Sequence, residues 1–326
     1  MKLLFLDHHQ SSLADTSLEV LQKVKEKLLL IDSVQETFDA TEADAIIIQE
    51  KFSYKNFRFI NELMADVIVS KYLHKVFTIN CDDCATGLLR GLYTSLPTSR
   101  FNKLLHVSVP FSYFPNELVL QHNQNSVEPK YLATWRGNTK SNKLRPKMIS
   151  TLNSFKYKLE NTDSWLNHDK DEKQQYVDLL LDGKFSLCPG GWAPVSFRIY
   201  ESMALGRTPV IIADDFKEPA GPDWSKFAFF YPENKINELD KFLTTNASKY
   251  EDMGKAAYHA WKQYFSPDVL MDYYASSLLS LIKTTPATNN ERELKRFKSF
   301  NVYWSNKWTV YQRMVIGVKK IAASSG

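Results

Sequence analysis

Three polar side chains in one short stretch, Ser196, Arg198 and Glu201, are of types and at a spacing that could do chemistry together. A hydroxyl and a guanidinium at a helix start suit phosphate, because the first-turn N–H groups lack intrahelical partners and attract anions. A carboxylate one turn on could accept hydrogen bonds from ribose hydroxyls. The set would therefore suit a nucleoside diphosphate. Its three-residue spacing equally allows an internal Arg198–Glu201 ion pair, and the helix taken alone favours that blander reading.

Such residues need a frame, and the flanking sequence from Lys184 to Asp215 supplies one. Phe185, Leu187 and Cys188 predict a short strand, closed by the turn residues Pro189-Gly190-Gly191. Pro194 fits the first turn of the following helix, which is expected to run to about Leu205 and stop at Gly206. Phe197, Ile199, Tyr200, Met203 and Leu205 leave that helix almost no polar face, so it should be buried. Val210 to Ala213 then reads as a strand covered on both faces, completing a βαβ unit.

On these residues the chain resembles the exostosin-type glycosyltransferases. The apolar strand, Pro-x-Gly, Ser-x-Arg-x-x-Glu and Gly-x-x-Pro-Val order is that family's donor-binding signature. Glu218-Pro219 and Asp223-Trp224 resemble its downstream Pro and Asp-Trp. Upstream, Trp135-Arg136-Gly137 and Arg145 are similar to its aromatic-Arg-Gly segment and later Arg. The likeness runs from about Tyr131 to Ile282 and departs at Gly190, where the family usually carries Arg. The resemblance implies a GT-B fold, two Rossmann-like α/β domains facing across a cleft, and inverting transfer of a sugar from a nucleotide-sugar. It assigns Arg136, Arg145, Pro189, Gly190, Gly191, Ser196, Arg198 and Glu201 to the donor. Because those arginines can neutralise a diphosphate, neither a metal nor another cofactor is expected.

The length of 326 residues, 44% hydrophobic, allows two domains with sizeable cores. Three cysteines, an odd number, argue against a disulfide framework. With no signal peptide or membrane-spanning run in view, the expected location is the cytoplasm, in a free-standing bacterial relative. Strand-like Lys2–Leu6, Ala45–Ile48 and Val76–Ile79 alternate with helical stretches at Leu18–Leu30 and Phe57–Met64, predicting a parallel sheet. No Gly-x-Gly-x-x-Gly follows a strand, which argues against a dinucleotide oxidoreductase. Arg90–Pro115 reads as irregular. The polar run Gln121–Pro129 reads as a linker, and Thr162–Lys173 as a loop before a helix at Gln174–Leu181.

The expected domains are 1–128 on the acceptor side, 129–285 on the donor side, and a basic aromatic segment, 286–326. In that last segment Trp304, Trp308, Tyr303 and Tyr311 are interleaved with Lys and Arg. It is expected to pack back on the N-terminal domain, with a peripheral contact to the inner face of a membrane as the rival reading. Inverting transfer needs a base, and position alone nominates Asp7, His8, Asp82 and Asp83, with His9 beside His8, at carboxyl ends of N-terminal strands. Cys81-x-x-Cys84 lacks a second ligand pair for zinc, and Asp169-Lys170-Asp171 lies in a charge-rich loop, so neither is expected to hold metal. The sum is a metal-independent hexosyl- or glycuronosyltransferase, using a UDP-sugar and a glycan or lipid-linked glycan acceptor, in bacterial surface polysaccharide synthesis. Its alternatives are a GDP-sugar-dependent, fucosyltransferase-like enzyme and a non-catalytic basic protein binding membrane or nucleic acid; nucleic acid is not the expected partner.

Overall fold

The computed structural model describes residues 1–51, 59–83, 87–121, 128–162 and 169–300. Two compact units divide the chain, Met1–Val107 together with the residues from Ala275 on, and Ser108–Tyr274. Both are parallel-sheet α/β units, the class expected from the alternation of apolar runs and helical periods.

In the first unit, strands β1 (Lys2–Leu6), β2 (Gln35–Glu36), β3 (Ala45–Glu50), β4 (Val76–Asn80), β5 (Arg90–Tyr93) and β6 (His106–Ser108) form one sheet in the order β2-β1-β3-β4-β5-β6. The pairings from β2 through β5 are parallel. β3 is buried along its whole length, as expected for a strand covered on both faces. β5 and β6 lie inside the stretch read as irregular. β5 is hard to see because its first residue is a buried arginine and its second a glycine. A Cβ at Gly91 would meet the Thr78 carbonyl oxygen at 1.9 Å, so close strand approach excludes any other residue.

The helix Asn290–Phe297 packs onto this unit. Phe297 and Leu294 pack with Leu4, Ile46, Val69 and Leu88. Glu293, 5% exposed, pairs with buried Arg90 and with Arg296, while Asn290 Oδ1 meets His74 Nδ1 at 2.8 Å. Residues 301–326, with the four interleaved aromatics, lie outside the described residues, as do Cys84 and positions 122–127 of the expected linker.

The second unit's sheet comprises β7 (Tyr131–Gly137), β8 (Tyr157–Asn161), β9 (Gly183–Pro189), β10 (Thr208–Ile212) and β11 (Phe229–Phe230) in the order β11-β10-β9-β7-β8, all parallel. Its residues alternate between two cores. Phe185, Leu187, Val210 and Ile212 face Trp135, Met148 and Leu239, whereas Cys188 and Ile211 face Ile199, Tyr200, Met203 and Trp261. The unit begins at Ser108, earlier than the polar stretch near residue 128, because Phe111, Phe114, Leu118 and Val119 join its core.

The βαβ unit is present as β9, helix Phe197–Ala204 and β10. Ser196 caps the helix, its side chain accepting from the Arg198 N–H, so Pro194 lies before the cap rather than in the first turn. Gly206 ends it with φ +64. Further upstream, the helix before β9 starts at Lys170 rather than Gln174. Asp169 and Glu172 form a reciprocal capping box, which gives the Asp-x-Asp pattern a structural task.

Removing the Glu293 carboxylate should leave Arg90 buried without its counter-charge. Glu293→Ala is expected to destabilise the first unit by about 3–5 kcal/mol, read as a fall in the denaturation midpoint; an unchanged midpoint would show that the helix is not needed there.

Candidate anion site in the second unit

The strand order fixes where a site can form. β7 is flanked by β8 on one side and β9 on the other, so the winding direction reverses at β7. Just beyond its carboxyl end lies a cavity of about 170 Å³, bordered by Arg136, Gly137, Asn138 and Arg145, by Thr162 and Tyr176, and by Ser196, Phe197, Arg198 and Glu201. Arg136, Arg145, Ser196, Arg198 and Glu201 are thus brought together around it. Pro189, Gly190 and Gly191 are not part of its wall; they stand behind Arg145.

Arg145 holds that turn in place. Its Nε donates to the Gly190 carbonyl at 3.0 Å, its Nη2 to Pro189 at 3.4 Å, and its Nη1 to Asn138 at 2.7 Å. A Cβ at Gly191 would lie 3.2 Å from Nη2, so the guanidinium fills the space a side chain would need. Arg145 is 9% exposed, and burial, aided by neighbouring Arg198, pushes its pKa down to about 10.

Arg198 is 7% exposed and lies close to two rings. Its guanidinium carbon is 5.6 Å from the Trp135 centroid and 5.5 Å from that of Tyr176. Trp135 also carries Arg145 at 5.7 Å. One Nη of Arg198 donates to the Arg136 carbonyl, while its Nε has no hydrogen-bond partner among the described residues. No Arg198–Glu201 salt bridge closes the pair, contrary to the internal ion pair that the helix alone favours; Glu201 instead accepts from the Tyr176 hydroxyl at 2.5 Å. Burial raises the Glu201 pKa, against the pull of that hydrogen bond and of Arg198. Arg136 is the looser member, 3.6 Å from Glu160 and 3.4 Å from Gln175.

Two buried guanidinium groups side by side, one with an unused buried donor, at a helix N-terminus, form a site for an anion with several oxygens. Spacing alone did not reveal Tyr176, Asn138 or Thr162. Tyr176 is 25 residues from Glu201, and only the packing of one helix on another brings them together.

The candidate bases belong to the first unit, at the carboxyl ends of β1 and β4 on one edge of its sheet, with β3 between them. Asp7 Oδ1 accepts from the N–H groups of His9 and Gln10, forming a turn that displays His8 and His9 with their rings 4.0 Å apart and exposed. Asp82 is 3% exposed and Asp83 half-buried. Among the described residues no cluster of three or more His, Cys, Asp or Glu could hold a metal. No helix among them is long and apolar enough to cross a membrane.

The fold and this pocket define a Rossmann-like α/β protein with a candidate anion site at the strand switch point. A model of the exostosin GT47 domain matches residues 74–245, more than half of the chain, and the chain belongs to that family. It is 40% identical over 77 residues to a rice protein described as "Probable glucuronosyltransferase GUT1", covering 23% of this chain and 18% of that one. The Arabidopsis thaliana protein "Probable beta-1,4-xylosyltransferase IRX10" is 39% identical over 77 residues, 23% and 19% of the two chains. The matched stretch therefore spans about a fifth of these relatives. Among solved structures, Anabaena HepE in complex with UDP aligns over 86% of this chain and 100% of its own at 12% identity, with a TM-score of 0.39. TarM aligns over 74% and 44% at 12% identity, with a TM-score of 0.35.

Inorganic diphosphate should raise the melting temperature of the protein, because it binds the folded state alone and relieves the repulsion between Arg145 and Arg198; the gain is about 2.7 kcal/mol at a hundredfold excess over Kd. Arg198→Gln should abolish most of that shift. A parent protein that melts identically with and without diphosphate would remove the anion site.

Proposed function

We propose that the chain is an inverting glycosyltransferase that moves a sugar from a UDP-sugar to a hydroxyl of a glycan acceptor. Membership of the exostosin GT47 family supports the reaction class. The observation that carries the donor assignment is the pair of buried arginines beside the Ser196 cap, with the Arg198 Nε unused. A nucleotide diphosphate would bring its phosphates to Arg198 and Arg145 and its ribose to Glu201.

In this reading the acceptor oxygen attacks the anomeric carbon as the bond from that carbon to the diphosphate oxygen breaks, inverting the centre. A base takes the acceptor proton, and the arginines neutralise the charge on the departing nucleotide. With three arginines at the pocket, a metal is not required. The base comes from the loops after β1 and β4. Exposure favours His8 with His9 over Asp82, whose side chain is covered. The descriptions of the rice and Arabidopsis relatives favour a glucuronosyl- or xylosyl-type donor sugar. A glycan or lipid-linked glycan acceptor, a cytoplasmic location with a peripheral membrane contact, and a place in bacterial surface polysaccharide synthesis complete the proposal.

A thermal-shift screen of UDP- and GDP-sugars, followed by a turnover assay, tests it. UDP-sugars should stabilise the protein and GDP-sugars should not. Turnover should continue in excess EDTA; activity lost with the chelator and restored by manganese or magnesium would overturn the metal-free mechanism.

Variants then locate the base. The double change His8→Ala/His9→Ala should lower turnover by about 10²–10⁴-fold with donor affinity kept, and Asp82→Asn and Asp83→Asn are measured beside it. Near-native turnover in all three would move the base elsewhere.

A further inference from the structure

The geometry points to Tyr176 as a positioning residue that aims Glu201, so that the carboxylate's second oxygen recognises the ribose 2′- and 3′-hydroxyls of the bound nucleotide. The inference rests on the nucleotide-sugar reading above and adds to it a residue that no motif contains.

Three observations converge on this side chain. Its hydroxyl donates to Glu201 Oε2 at 2.5 Å, and among the described residues Glu201 Oε1 accepts no hydrogen bond while Glu201 borders the cavity. Its ring lies 5.5 Å from the Arg198 guanidinium carbon, which is also 5.6 Å from the Trp135 ring. Tyr176 itself borders the same cavity, from the helix Lys170–Leu181, whereas Arg198 and Glu201 come from the helix Phe197–Ala204. A single phenol therefore orders both charged groups that the second helix offers.

The chemistry follows from what each oxygen can still do. An ionised carboxylate is acceptor-only, so with Oε2 engaged by Tyr176 the remaining oxygen can take hydrogens from a cis-diol. A protonated Glu201 would present a donor there instead and match the diol poorly. Burial works against the ionised form, and the charged or titratable neighbours on the surrounding elements are Arg198 on the same helix, Tyr176 on the facing helix and the Cys188 thiol on β9. Burial pushes Cys188 up to about 12 and Tyr176 well above its usual range, so both stay neutral. Ionisation of Glu201 thus depends on two supports, and the Tyr176 hydrogen bond is one of them. The bland competitor is a phenol that merely fills space between two helices. That role would predict a loss of stability, with every ligand weakened alike.

The test compares UDP with 2′-deoxy-UDP by calorimetry on the full chain. The parent should prefer UDP by about tenfold or more, the worth of a hydrogen bond to a charged group. In Tyr176→Phe, which keeps the ring on Arg198, that preference should collapse to about threefold or less, with UDP weakened more than its deoxy counterpart. Relative to the parent, the acidic limb of UDP binding should also move to higher pH. Losing the hydroxyl raises the Glu201 pKa further, so the carboxylate takes a proton at a higher pH; ionisation of the nucleotide's own phosphates is common to both proteins. Glu201→Gln should lose the same preference, and Tyr176→Phe/Glu201→Gln should lose no more than either alone. An unchanged UDP preference in Tyr176→Phe, or equal weakening of both nucleotides, would overturn the inference and leave the nucleotide reading standing. If UDP does not bind the parent, GDP and 2′-deoxy-GDP take its place. Failure of both to bind would overturn the nucleotide reading and the inference with it.

Discussion

Two guanidinium groups on one indole is the arrangement on which the second unit's site depends. Trp135 is fully buried in the core between β7 and the helix Leu144–Thr151, and Arg145 and Arg198 both lie against it. Among the described residues neither cation forms a salt bridge with a carboxylate, which is costly in a region from which water is largely excluded. The surroundings offset that cost only in part. Three backbone carbonyls take up Arg145, one takes up Arg198, and aromatic faces receive both. The remainder is a standing demand for negative charge in a pocket at the strand switch point.

The sequence was most informative where local rules and tertiary packing agree. The helix Phe197–Ala204 could be read from its apolar faces and Gly206, and both act in the structure as their residue types require, with Ser196 as its cap. The two α/β units were visible for the same reason, since β3 and β10 each contain a continuous apolar run, Ala45–Ile48 and Val210–Ile212. Elements whose reason for existing is non-local were less legible. β5 opens on Arg90, whose burial depends on Glu293, some 200 residues away in the chain. β8 is an edge strand carrying Lys158 and Glu160, and its sequence alone gives little sign of pairing.

The site divides along the same line. Residues that sit on the βαβ unit were nominated from spacing and from a family signature, and Ser196, Arg198 and Glu201 do meet at one cavity with Arg136 and Arg145. What spacing could not supply was the assignment of partners. Arg198 and Glu201 look like an ion pair at three-residue separation, yet Arg198 turns to the Arg136 carbonyl and Glu201 to a phenol on another helix. Asp169 and Asp171 resemble a metal-binding pair, yet Asp169 caps a helix. In the first case elements outside the motif decide what the charged side chains do; in the second it is the helix that the aspartate itself begins.

The first unit is assembled from both ends of the sequence, with the whole second unit inserted between its parts. A ribosome would therefore release the sheet β1–β5 long before the helix that carries Glu293 and Phe297. During that interval Arg90 lacks its counter-ion and the apolar surface around Leu88 lacks its cover, while the inserted unit already has every strand it needs. Synthesis thus imposes an order, in which the inserted unit can mature first and the other waits for the helix Asn290–Phe297. In a cell the exposed early sheet is the natural target for chaperones.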